Sequence, residues 1–197
     1  MTRRSYLRAT MLLAGVFSAG FAAVAVQLPR PRLMWNASAS APIGLYRIDR
    51  AAPLRLGDLV AITPPDDIAR FLDRRRYLPS GVPLIKHIAA LPGQRICRVG
   101  AVITRDGRAI AVAKMHDRMG RALPVWRGCR RLGSGQLFLL NPAPDSLDGR
   151  YFGLLPATGL IGNARPILTR AAPGEPLRWR ASDTPTVFTT TKQETKP

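Results

Sequence analysis

The 197-residue chain carries 30 Lys and Arg against 12 Asp and Glu, a formal net charge of +18, with two cysteines and two histidines. That length holds one folded unit with a sizeable core once an apolar N-terminal stretch and a polar tail are set aside. The basic balance suits an anionic surface such as lipid, but the arginines are scattered and no aromatic-basic motif or zinc finger organises them, so the reading includes no specific nucleic-acid partner.

Residues 1–8 form a basic N-terminus with Arg3, Arg4 and Arg8. From Ala9 to Leu28 the chain carries no charge, and twenty residues at about 1.5 Å each span roughly 30 Å, the thickness of a bilayer core. The segment reads as a transmembrane anchor over 9–28. A cleaved signal peptide is the alternative, given the basic start and the small residues near Ala22 to Ala25. Arg30 and Arg32 follow the segment and dilute the charge asymmetry, so charge alone leaves the orientation open. Residues 29–35, with Pro29 and Pro31, read as a short stiff linker.

Beyond the linker, short apolar stretches alternate with turn residues over Gly44 to Ile48, Leu59 to Ile62, Val82 to Ala89, Arg95 to Val99, Val102 to Thr104, Ile110 to Ala113, Gln136 to Leu140 and Leu160 to Leu168. These predict strands, with Asp106-Gly107 as a hairpin turn. Asp66 to Arg75 is the one clear helix candidate outside the N-terminal segment. The expected class is mainly β, a β-rich or barrel-like domain over 36–181. Residues 182–197 are polar and poor in large apolar groups, and read as a disordered tail.

Three stretches supply chemistry in combination: Ser38-Ala-Ser40-Ala-Pro42-Ile-Gly44-Leu-Tyr46, Leu84-Ile-Lys86-His87-Ile-Ala-Ala-Leu-Pro92-Gly93, and Asp145-Ser146-Leu-Asp148-Gly149-Arg150-Tyr151-Phe152-Gly153. They offer a hydroxyl nucleophile, an amine base and a polar brace. Lysine serves as a base only when neutral, and its ordinary pKa near ~10.4 must be lowered by burial. Lys86 stands in an apolar run that would desolvate it, although pattern alone equally allows a lysine on the solvent face of an edge strand. Asp148-Gly149 could likewise be a plain turn helped by Ser146, and Ser38 a surface serine.

With Leu56-Gly57-Asp58-Leu59-Val60 between the first two, these segments resemble the ordered boxes of the signal peptidase I superfamily, and more narrowly its conjugative-transfer branch of the TraF type. The resemblance spans Asn36 to Pro166. It implies a signal-peptidase-like β-rich catalytic domain behind one transmembrane helix. Ser40 then corresponds to the nucleophile and Lys86 to the general base of a Ser-Lys dyad. Ser38 corresponds to an oxyanion helper, and Ser146, Asp148 and Arg150 to the supports that orient the lysine. No cofactor or metal is expected. Gly93 and Gly153 are expected to serve backbone geometry.

The housekeeping enzyme usually has methionine after the nucleophile, proline three places past it, arginine after the lysine and aspartate after Pro-Gly. Here Ala41, Pro42, His87 and Gln94 stand instead, which favours the specialised branch. His87, adjacent to Lys86 on a strand, is expected to point to the opposite face and not to share its site.

Cys97 and Cys129 fit no zinc-ligand spacing and could be buried free thiols. The resemblance, by implying export, favours one disulfide between them. It also implies a propilin or other preprotein as substrate, cleaved with cyclisation of the pilin left open. The implied setting is the inner membrane, single-pass, with residues 1–8 cytoplasmic and the catalytic domain periplasmic on anionic lipid beside a type IV secretion or conjugation apparatus. Housekeeping signal peptidase I and a non-catalytic inner-membrane assembly factor of a secretion or pilus system are the alternatives.

Overall fold

A computed structural model describes residues 3–26, 33–50 and 52–180. Its helices are α1 (Arg3–Val26), α2 (Asp66–Arg74) and α3 (Gly149–Phe152). Its strands are β1 (Leu33–Asn36), β2 (Ile43–Asp49), β3 (Leu59–Ile62), β4 (Leu84–Ala90), β5 (Arg95–Val99), β6 (Val102–Arg105), β7 (Arg108–Val112), β8 (Gly128–Arg131), β9 (Gln136–Leu140), β10 (Leu155–Pro156), β11 (Leu160–Arg170) and β12 (Arg178–Trp179). The chain divides into two units, Met1–Arg32 and Leu33–Pro197.

The first unit contains α1, whose segment Arg3–Ala23 is long and apolar enough to cross a membrane. The expected span of 9–28 lies within it up to Val26; residues 27–32 and the expected tail fall outside the described residues. Residues 33–35, expected to close the linker, instead belong to β1, because backbone pairing with β2 places Trp35 opposite Leu45.

The second unit is mainly β. One sheet of eight strands runs β1-β2-β11-β3-β4-β9-β10 with β12 on β11, and a sheet of four runs β7-β6-β5-β8. Every strand pair is antiparallel. The hairpin between β6 and β7 turns on Asp106 and Gly107 at φ 49° and 83°, the left-handed pair that a two-residue turn with the strands' own twist requires. α2 forms because Asp66 and Asp67 occupy its first turn, Arg74 its last, and Ile68 and Leu72 bury one face.

Three apolar clusters make the core. The inner face of the small sheet, Ile96 and Ile103, packs with Phe138, Trp126 and Tyr151. α2 covers Val60, Ile62, Ile88 and Leu139. A third cluster gathers Ala41, Tyr46, Ile48 and Ile85. β4 lies between β3 and β9 and is buried along almost its whole length. This removes the edge-strand alternative for Lys86.

Cys97 and Cys129 are opposite one another on β5 and β8 and their sulfurs are bonded, 32 positions apart in sequence. β8 is exposed throughout, so the covalent link and the backbone ladder, rather than apolar burial, hold it to the sheet. Next to Cys97, the buried guanidinium of Arg98 crosses from this sheet to donate to the Arg150 carbonyl of α3 at 2.6 Å.

Candidate active site

The Ser38–Ser40 loop between β1 and β2 is wound around one side chain. Buried Asn36 accepts from the Ser38 amide at 3.1 Å, and its own amide group faces the carbonyls of Ser38, Ala41 and Pro42 at 2.9, 3.2 and 3.0 Å. The Tyr46 hydroxyl donates to the Pro42 carbonyl at 2.6 Å. Gly44, at φ 144°, lies so close to β11 that a Cβ would stand 2.1 Å from the Leu168 carbonyl oxygen. Only glycine fits there. These contacts fix Ser40 at the mouth of the loop, half-buried.

Lys86 comes from the middle of β4 and is 3% exposed. Its Nζ lies 3.3 Å from Ser40 Oγ and 2.7 Å from Ser146 Oγ. Burial lowers its pKa from 10.5 to about 8; Asp148 opposes that shift and Arg150 adds to it. A neutral amine is therefore available close to neutral pH.

The brace is built at the N-terminus of α3. Arg150 Nη1 donates to Asp148 Oδ2 at 2.7 Å in a pair removed from solvent. Asp148 also accepts from the backbone amides of Arg150 and Asn141 at 3.1 and 3.0 Å. Burial pushes the Asp148 carboxyl upward, against the pull of Arg150 and Lys86. Its oxygens face N–H groups that can only donate, the arrangement that suits a carboxylate. Gly149 is required between them, since a Cβ would fall 2.7 Å from the Phe138 ring and 2.8 Å from the Leu139 carbonyl.

Ser38 Oγ stands 3.0 Å from Ser40 Oγ and accepts the Ser40 amide at 3.3 Å. The Ser40 N–H is thus directed at the Ser38 hydroxyl oxygen, which sets two groups able to donate side by side next to Ser40 Oγ.

The structure brings Ser38, Ser40, Lys86, Ser146, Asp148 and Arg150 into one constellation; Cys97 and Cys129 belong to the small sheet. Sequence reasoning missed Asn141. It is fully buried, its Nδ2 lies 3.4 Å from Ser40 Oγ and 3.0 Å from the Ile85 carbonyl, and its Oδ1 lies 3.3 Å from the His87 amide and 3.1 Å from His87 Nδ1. His87 was expected to have no share in the site. It contacts the amide that reaches the Ser40 hydroxyl, because Asn141 bridges the two residues. The available signal was Asn141-Pro142 at the end of β9: proline has no amide hydrogen to continue the ladder, so a side chain must supply the bond.

A family model described as signal peptidase, peptidase S26, matches residues 3–169. The conjugal transfer protein TraF of Agrobacterium fabrum is 39% identical over 145 residues, 68% of this chain and 81% of that protein. A plasmid transfer protein TraF of Escherichia coli is 30% identical over 146 residues, again 68% and 81% of the two chains. A signal peptidase I of Enterococcus faecalis overlays 58% of this chain and 98% of its own at 18% identity and a TM-score of 0.34. With a family model covering most of the chain and TraF proteins matched over two thirds of it, the chain belongs to the peptidase S26 family of signal peptidases, as a TraF-type member.

Proposed function

We infer that the chain is a membrane-anchored serine endopeptidase with a Ser40-Lys86 dyad, cleaving an exported precursor, a propilin above all, for conjugative transfer. The observation that carries this reading is the buried Lys86 amine 3.3 Å from the Ser40 hydroxyl, with a pKa lowered to about 8. Conjugation enters from the names of the TraF relatives, one a conjugal and one a plasmid transfer protein.

In the reaction, neutral Lys86 takes the Ser40 proton as Oγ bonds to the scissile carbonyl carbon. The oxyanion accepts from the Ser40 N–H and the Ser38 hydroxyl. Collapse breaks the C–N bond, and the Lys86 ammonium returns its proton to the departing amine. Water then gives a proton to Lys86 and attacks the ester, and Ser40 recovers its hydrogen as the acid leaves. An amine in place of water would close a new peptide bond, the route to a cyclic pilin.

The anchor is α1, with the catalytic unit periplasmic, the compartment in which the Cys97–Cys129 bond persists. An in-register row of Trp35, Leu45, Leu168 and Trp179 crosses β1, β2, β11 and β12. Both tryptophans are exposed, and Arg47 and Arg165 form an adjacent exposed row. Tryptophan and arginine together suit the headgroup region of an anionic membrane.

The test is cleavage of a peptide spanning the precursor's processing site by full-length protein in detergent. Ser40→Ala and Lys86→Ala should each abolish cleavage while the protein stays folded. Cleavage at the normal rate by either variant would defeat the reading.

A further inference from the structure

We propose that Asn141 is a further catalytic residue of this site, its side-chain amide donating to the Ser40 hydroxyl while His87 holds that amide in position. This rests on the Ser40-Lys86 reading above.

Three observations carry it. The amide's orientation is dictated by backbone groups: the Ile85 carbonyl only accepts and the His87 N–H only donates, so Nδ2 must face Ile85 and Oδ1 must face His87. The second Nδ2 hydrogen is then left for Ser40 Oγ, 3.4 Å away, a length common for catalytic bonds before substrate is bound. Finally, Oδ1 also meets His87 Nδ1 at 3.1 Å. Because Oδ1 can only accept, the imidazole proton resides on Nδ1. Burial lowers the His87 pKa, in keeping with a neutral ring in that tautomer.

The amide therefore clasps β4 on both sides of Lys86 and reaches the nucleophile with its free hydrogen. Base and nucleophile are registered by one rigid group. Ser40 Oγ has one hydrogen and two lone pairs. With Asn141 Nδ2 donating to one lone pair and the Ser38 hydroxyl, 3.0 Å away, to the other, the O–H is left to point toward Lys86 Nζ. As the proton leaves, the N–H···O bond becomes charge-assisted and strengthens, which favours the transition state over the resting hydroxyl. His87, two contacts from the reacting oxygen, is a positioning residue.

The experiment measures kcat, KM and the pH–rate profile of full-length protein on the precursor peptide for Asn141→Ala, Asn141→Asp and His87→Phe, beside Ser40→Ala. Asn141→Ala should lower kcat about 10- to 100-fold with KM unchanged. Asn141→Asp should also shift the rising limb of the profile to higher pH, since a carboxylate near Lys86 favours its ammonium. His87→Phe, which leaves the backbone clasp in place, should lower kcat by about 3- to 10-fold.

A wild-type kcat in Asn141→Ala, or the same pH profile in the Ala and Asp variants, would overturn the proposal. If Asn141→Ala does not fold, His87→Phe decides, and a wild-type kcat there overturns it. Full activity in Ser40→Ala would instead bring down the dyad reading, and a dead Ser40→Ala beside a normal Asn141→Ala would bring down this inference alone.

Discussion

Lys86 Nζ lies 2.7 Å from Ser146 Oγ and 3.3 Å from Ser40 Oγ, so the amine is held more closely by Ser146 than by Ser40. Ser146 is itself buried, on the segment that Asp148 and Arg150 tie to β9 through Asn141. The lysine's aim is therefore set from the segment that leads into α3.

Removing that brace should reduce turnover without affecting substrate binding. Ser146→Ala is expected to lower kcat about 10- to 100-fold at unchanged KM, by analogy with the loss of a supporting hydrogen bond in other sites. Ser146→Thr, which restores a hydroxyl, should recover part of it. Steady-state kinetics on the precursor peptide checks both.

The pH profile follows from the base. Only neutral Lys86 accepts the Ser40 proton, so the rate should rise with pH through about 8, the value to which burial lowers the amine. Asp148 favours the ammonium, so Asp148→Asn should move that limb to lower pH. A limb that stays in place would mean that Asp148 acts only on structure.

The same burial has a cost. Because the folded pKa lies below the unfolded one, the unfolded chain binds more protons between about pH 8 and 10.5, and stability rises with pH through that window. Below it the charge is held at a cost of about 3 kcal/mol. Lys86→Met, apolar and of similar length, should raise the melting temperature at pH 7 while abolishing activity. Calorimetry at pH 7 and pH 10 should show the gain shrinking at the higher pH.

Asn36 organises the loop that carries Ser40 through the Ser38 amide and the Ser38, Ala41 and Pro42 carbonyls. Asn36→Ala would leave the Ser38 amide and three carbonyls to other partners. It should destabilise the protein by about 1 to 3 kcal/mol in a urea titration and lower kcat through a looser Ser40.

How far the fold could be read ahead depended on where each element draws its stability. β3 to β7 and β9 carry their own apolar runs and turn residues, and α2 its acidic start and apolar face, so their positions followed from local pattern. β1, Leu-Met-Trp-Asn after a proline-rich stretch, becomes a strand through pairing with β2. β8, Gly-Cys-Arg-Arg, has no buried residue, and its ladder, its disulfide and the contacts of Arg130 with Trp126 and Arg131 with the Gly93 carbonyl place it. Non-local pairing of that kind leaves no periodicity to detect. Ser40, Lys86, Ser146, Asp148 and Arg150 are legible through the resemblance of their segments to the signal peptidase boxes, since local pattern alone also allows a surface lysine and a plain turn. Asn141 is not, since its role depends on register between β4 and β9, which the sequence does not display.

The most direct measurement is the intact mass of the pilin precursor of the same conjugative system, coexpressed with this protein or with its Ser40→Ala form. A shortened product is expected only with Ser40 intact, with a further loss of about 18 Da if the new ends are joined with loss of water. The same shortened product with Ser40→Ala would contradict the Ser40-Lys86 reading.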